Sequence, residues 1–317
     1  MNRIKVIFTL LFTIWLISVI ALYIAISDTL ENSIQSLNEF SQSQEYRRSI
    51  FAESSNPPFF YVKSKKRKTD VTCSETQKID PNPCCKTLYY WGSGKCGSTT
   101  LASLLKHKPP DFNKYDPTSG FVDAGKELCL GKSSKRVSSC QKGCNNEQKM
   151  FLLDACPRHS GKSEAKVLAC RNPKARFVML IRDPVARAIS EINDNYIRFG
   201  GSGNLEQLKT AGNTFYHLSR YYEMTMNFLE YFDSDQILFV QIEALKDSRS
   251  TQTTMDAIFA HYGLPHRDIG YARLNDNHVA KKYKLPSNET LETIRKILMK
   301  DTEKFRNLTG VKFKWIV

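Results

Sequence analysis

The stretch WGSGKCGSTT, Trp91 to Thr100, sets three glycines, a lysine and three hydroxyl side chains beyond it after a short apolar run. Those types suit an anion. Gly92, Gly94 and Gly97 let the backbone turn sharply and come close to a ligand, and Lys95 adds a mobile positive charge. Ser98, Thr99 and Thr100 add hydroxyl donors, and the N–H groups from Gly97 to Thr100 face the anion from the positive end of the following helix. The spacing is not that of a nucleotide-binding Walker loop: Tyr89 stands where its first glycine belongs, and Cys96 follows Lys95 where Ser or Thr is needed. A plain glycine-rich turn with a capping Ser or Thr is the bland alternative, and a lysine inside the turn speaks against it.

A second stretch, IRDPVARAIS, puts Arg182 at the end of an apolar run and Ser190 two helical turns into the next segment. Asp183 is placed to cap that helix and Pro184 suits its first turn. Arg182 offers a guanidinium to a phosphate, or else pairs with Asp183 or another carboxylate; alone, the stretch does not decide.

Both stretches need a framework of strand, loop and helix. KTLYYW reads as a strand, TLASLLKH as a helix, RFVMLI (Arg176 to Ile181) as a strand and VARAISEINDNYI as a helix. Next come a helix from about Asn213 to Phe232, a strand Gln236 to Ile242 and a helix from about Ser250 to Tyr262. Continuously apolar strands alternating with helices predict an α/β three-layer fold around a central parallel sheet, similar to that of P-loop proteins. In such folds ligands sit outside the carboxyl ends of the strands, where both loops fall.

The 317-residue chain carries a formal charge of +14, which suits a polyanionic partner: nucleic acid, anionic lipid or acidic polysaccharide. Val6 to Ile26 contains no charged residue and is long enough to cross a bilayer of about 30 Å, longer than the apolar core of a signal peptide. Arg3 and Lys5 before it and Asp28 and Glu31 after it put residues 1–5 in the cytoplasm and the rest in a lumen or outside. Residues 27–85 read as a polar stem with a basic run Lys63 to Lys68, and 86–317 as the folded domain. The nine cysteines all lie beyond the anchor, so disulfides are permitted and at least one thiol is left over within the chain. Asn288-Glu-Thr and Asn307-Leu-Thr are glycosylation sequons.

The two loops, taken together and in this order, resemble those of sulfotransferases that use 3′-phosphoadenosine 5′-phosphosulfate (PAPS), particularly the Golgi carbohydrate enzymes related to heparan sulfate N- and 3-O-sulfotransferases. The resemblance covers most of Lys86 to Trp315. It implies that Lys95, Cys96, Gly97, Ser98, Thr99 and Thr100 grip the 5′-phosphosulfate and that Arg182 and Ser190 grip the 3′-phosphate. Lys126-Glu127 is similar to the family's Lys-Glu pair, which implies Glu127 as the base that takes the acceptor's proton and Lys126 as a substrate contact. Lys281, Lys282 and Lys284 before Pro286 resemble a basic loop that closes over the cofactor, and FRNLTGVKFKW resembles the family's ending.

The resemblance implies a Golgi type II membrane enzyme that transfers a sulfuryl group to a glycan, acidic or neutral, without a metal and without a nucleic acid partner. It departs at Asp154-Ala-Cys-Pro157, where Ala155 replaces a family lysine; Arg158, Lys162 and Lys166 are candidates to restore that charge. His107, His159 and His278 are the alternative bases. A non-catalytic polyanion-binding protein that keeps the fold is the main competing function, and a P-loop kinase fails on the Walker spacing.

Overall fold

A computed structural model describes residues 57–63, 65–67, 71–73, 85–90, 93–106, 119–122, 149–154, 161–199, 214–245, 248–264, 266, 268–269 and 286–315. All of them belong to one compact unit, Ser55–Val317. The predicted anchor Val6 to Ile26 lies outside the described residues, as do Lys126, Glu127, Arg158, Lys281, Lys282, Lys284 and the three candidate histidines.

A six-stranded sheet forms the centre: β1 (Phe59–Phe60), β2 (Cys85–Tyr90), β3 (Ser119–Val122), β4 (Lys149–Asp154), β5 (Phe177–Ile181) and β6 (Ile237–Gln241), in the order β1-β6-β5-β2-β4-β3. β2 to β6 run parallel, but β1 lies antiparallel on the edge of β6, so the sheet is mixed where the sequence predicted a parallel one. Every residue of β5, and Ile237 to Val240 of β6, is fully buried, as strands covered on both faces require.

The helices are α1 (Ser98–Lys106), α2 (Lys162–Arg171), α3 (Pro184–Phe199), α4 (Thr214–His217), α5 (Tyr221–Leu229), α6 (Ser248–Tyr262) and α7 (Asn288–Thr309). The single helix expected from Asn213 to Phe232 is therefore two, α4 and α5, broken by a turn in which Ser219 N donates to Tyr216 O at 2.8 Å. α7 has no counterpart among the expected elements. Ser287 caps its start, accepting from Thr290 N, and Gly310 ends it in the left-handed conformation at φ 73°. Ile294 and Leu298 of α7 pack with Val185, Ala188 and Ile192 of α3 and with Tyr216, which fixes α3 against the body of the protein. Both sequon asparagines, Asn288 and Asn307, are exposed on α7.

The described residues of 57–73, a segment expected in the stem, are built into the domain. Phe60 stacks on Phe239 with ring centroids 5.4 Å apart and meets Phe313 at 5.5 Å. Beyond the strand, Lys65 N donates to Ser234 Oγ and Arg67 N to Asp233 Oδ1, each at 2.9 Å. The basic run is thus tied down by its backbone at Lys65 and Arg67, unlike the solvated linker expected, while the side chains of Lys66 and Arg67 stay exposed.

A disulfide joins Cys73 to Cys170 at the end of α2 across 97 residues. Closing a loop of that length removes chain entropy from the unfolded state worth about 4 to 5 kcal/mol. Cys73→Ser should therefore lower the unfolding midpoint by about 10 °C or more in a thermal scan.

Candidate active site

β2 and β5 are neighbours in the sheet, with Tyr89 opposite Phe177 and Tyr90 opposite Val178. From β2 the chain continues toward the β4-β3 side and from β5 toward the β6-β1 side, so the loops after these strands diverge from a topological switch point. Those loops are the two that carry the anion-binding residue types.

The loop after β2 is described from Ser93. Cys96 N donates to Ser93 O at 3.2 Å, closing a turn, and Leu101 N donates to Gly97 O at 3.0 Å, which opens α1 at Gly97. Two residues take positive φ, Lys95 at 68° and Gly97 at 86°. At Gly97 a side chain would be strained by that φ, and a Cβ would fall within clashing distance of Ile242 Cδ1, so the isoleucine would have to move. Gly94, Lys95, Gly97, Ser98 and Thr100 are half-buried, and they line the start of α1, where first-turn N–H groups have no intrahelical acceptor.

The Cys96 side chain points away from the ligand side: it is fully buried, a free thiol, with Sγ 3.6 Å from Tyr221 Oη. Of the implied contact residues it can offer an anion no side-chain group. Burial raises its pKa above 9.0 despite the opposing charge of Arg187. The thiol should resist iodoacetamide at pH 8 in the native protein and react once unfolded, as peptide mass spectrometry would read. Because the unfolded thiol ionises first, the native state loses stability as pH rises through 9.

Asp183 caps α3 as expected, its Oδ1 accepting from Val185 N at 2.9 Å and Ala186 N at 3.0 Å. Arg182 is half-buried, and its Nη1 donates to Lys95 O at 3.4 Å, so the arginine of one loop touches the lysine of the other. Ser190 is half-buried, two turns along α3. One turn further, Asp194 Oδ1 meets Lys95 Nζ at 2.8 Å.

Two residues that sequence reasoning missed hold this arrangement. Arg187, on the buried face of α3, is wholly inaccessible; its Nε donates to Ser219 Oγ at 2.6 Å, and its Nη1 to Gly94 O at 3.2 Å and Glu191 Oε2 at 3.4 Å. It ties α3 to the lysine loop and to the turn before α5. Tyr221, the first residue of α5, accepts from Arg182 N at 3.3 Å and donates to Arg182 O at 2.9 Å. Burial keeps that phenol protonated, its pKa raised well above 10.0, and its ring lies against Phe305 and Trp315. The C-terminal residues FRNLTGVKFKW therefore brace the site from behind.

Lys162, a candidate to replace the family lysine at Ala155, instead meets Glu230 at 2.8 Å, beyond the end of α5 that lies away from Tyr221. Lys166 is exposed on the same helix as Lys162. Among the described residues no cluster of His, Cys, Asp or Glu is disposed to hold a metal ion.

Comparison with known proteins sets this geometry in context. Residues 132–268 match the Sulfotransferase family, a segment that includes Arg182 and Ser190 and begins after the Lys95 loop. A sulfotransferase from Alicyclobacillus acidocaldarius superposes with a TM-score of 0.51 at 13% identity, over 74% of this chain and 98% of that one. A mouse sulfotransferase complexed with PAP aligns over 69% of this chain and 66% of its own, at 13% identity and a TM-score of 0.38. The sulfotransferase domain of the Synechococcus PCC 7002 olefin synthase aligns over 77% of this chain and 100% of its own, at 14% identity and a TM-score of 0.41. No curated protein sequence matches at a significant level. The chain thus has a segment, residues 132–268, that matches the Sulfotransferase family, and its fold is similar to that of a solved sulfotransferase.

Proposed function

We propose that the protein transfers the sulfuryl group of PAPS to a hydroxyl or amine of a carbohydrate, with a glycosaminoglycan-like polysaccharide as the acceptor class. The observation that carries this reading is the contact of Arg182 with the Lys95 carbonyl. It makes one cationic crevice of two loops at the ends of neighbouring strands, and a cofactor with phosphates at both its 3′ and 5′ positions needs two such grips. Ser98, Thr99, Thr100 and the first turn of α1 would take the 5′-phosphosulfate, and Arg182 with Ser190 the 3′-phosphate.

In the reaction the acceptor oxygen or nitrogen forms a bond to sulfur as the bond from sulfur to the bridging oxygen breaks. The acceptor's proton passes to Glu127, and the leaving phosphate keeps the electron pair. Lys95 offsets the charge that develops on that phosphate, a gain available without reorganisation because the loop is already folded. Lys126 and Arg158 would meet the acceptor, and Lys281, Lys282 and Lys284 would close over the cofactor.

The net charge of +14 suits an acidic glycan. The Cys73–Cys170 disulfide and the exposed Asn288 and Asn307 support a lumenal, glycosylated domain behind a membrane anchor at Val6 to Ile26, the layout of a type II Golgi protein.

Full-length protein incubated with radiolabelled PAPS and a panel of glycans tests the reading. Label is expected in at least one polysaccharide. Glu127→Gln should abolish transfer while leaving PAP affinity within about twofold of the wild type, since a base contributes to the chemical step. Heparin binding with no transfer to any glycan would instead identify a polyanion-binding protein that keeps the fold.

A further inference from the structure

The amine that the proposed reaction requires is already engaged. Lys95 Nζ and Asp194 Oδ1 lie 2.8 Å apart, with the two side chains 22% and 25% exposed. The direction of the lysine is constrained by its left-handed backbone and by the bond from Arg182 to its carbonyl, so the pairing results from how the loop is held against α3. Glu191, the other carboxylate on this stretch of α3, faces Arg187 at 3.4 Å.

The geometry points to Asp194 as the resident counter-ion of Lys95, a positioning residue that holds Nζ until the phosphosulfate takes it and that sets how tightly the nucleotide binds. This rests on the reading of Lys95 as the phosphosulfate lysine. The carboxylate acts in two ways. An anionic ligand must displace or share it to reach the amine, and afterwards it remains beside a polyanion, where like charges repel. At one-quarter exposure neither effect is fully screened by solvent. Both weaken the hold on PAPS and equally on PAP, the product that must leave for the next turnover.

The test is calorimetric titration of full-length protein with PAP, comparing Asp194→Asn with the wild type in backgrounds with Lys95 and with Lys95→Ala. Asn preserves shape and removes the charge. Affinity should rise about three- to tenfold in the Lys95 background, and the factor should differ in Lys95→Ala, where the competition for the amine is gone and only the direct repulsion of the ligand remains. A residue that only stabilised α3 would give no such gain. Unchanged or weaker PAP binding in Asp194→Asn would overturn the assignment, as would an equal gain in both backgrounds. Failure of the wild type to bind PAP at all would sink the proposed reaction and this assignment together, whereas binding without the gain sinks the assignment alone.

Discussion

Lys95→Ala should slow sulfuryl transfer by about 100- to 1,000-fold, the range seen when one preplaced donor to a developing oxyanion is removed. PAP affinity should fall about 10- to 100-fold, since a charge-assisted hydrogen bond contributes about 1.5 to 3 kcal/mol. The neighbouring cations do not substitute. Arg182 is assigned to the 3′-phosphate, and Arg187 is enclosed by Gly94, Ser219 and Glu191. The loop itself should survive, because alanine meets the same left-handed strain that lysine already bears at φ 68°. Kinetics with radiolabelled PAPS alongside a thermal scan separate the two effects: lost turnover with an unfolding midpoint within a few degrees of the wild type.

Arg187→Met should do the reverse and act first on stability, by about 2 to 4 kcal/mol. The guanidinium serves Gly94 O, Ser219 Oγ and Glu191 from a position with no access to water. Methionine fills much of the volume but leaves those acceptors without their donor, and an orphaned buried polar group costs its full desolvation. Ser219 also donates to Pro184 O at 3.0 Å, so the turn before α5 and the start of α3 loosen together. Chemical denaturation would read the loss. Arg187→Lys should rescue little of it, since a single ammonium cannot reproduce a planar fork that reaches three partners. PAP affinity should fall as well, because Gly94 would no longer be pinned beneath the lysine loop.

The parts of the fold written in local pattern are the parts legible in the sequence. FVMLI reads as a buried strand because Phe177 to Ile181 is buried along its whole length, and Asp183-Pro184 announces a helix start that the hydrogen bonds of Asp183 reproduce. β1 is not legible: a two-residue strand between Pro57-Pro58 and a lysine run has no period to detect, and its pairing with β6 spans most of the domain. The Cys73–Cys170 bond is likewise a long-range fact that spacing cannot supply. α7 carries its own signals, a capping Ser287 ahead of it and a stop at Gly310 behind it, and these two residues are where a helix could have been read.

The candidate site divides the same way. Lys95, Arg182 and Ser190 stand out by type within their stretches. Arg187 does not, because nothing in VARAIS says which arginine turns inward, and a buried cation is recognisable only once its acceptors are in view. Tyr221 joins the site from α5, and Asp194 meets Lys95 from α3; both meetings exist only in three dimensions. Cys96 sits inside the loop by sequence and outside its ligand face by structure, since the turn at Ser93 to Cys96 points its thiol at the core.

If two loops make one site with separate grips for the 3′- and 5′-phosphates, removing one grip should cost the ligand one phosphate's worth of affinity and no more. Calorimetric titration of the wild type and of Arg182→Ala with PAP and with AMP, which lacks the 3′-phosphate, tests this most directly. The wild type should bind PAP at least about tenfold more tightly than AMP, and Arg182→Ala should abolish this preference while leaving AMP affinity nearly unchanged. Equal affinity of the wild type for the two nucleotides, or a preference that survives Arg182→Ala, would contradict the two-grip site.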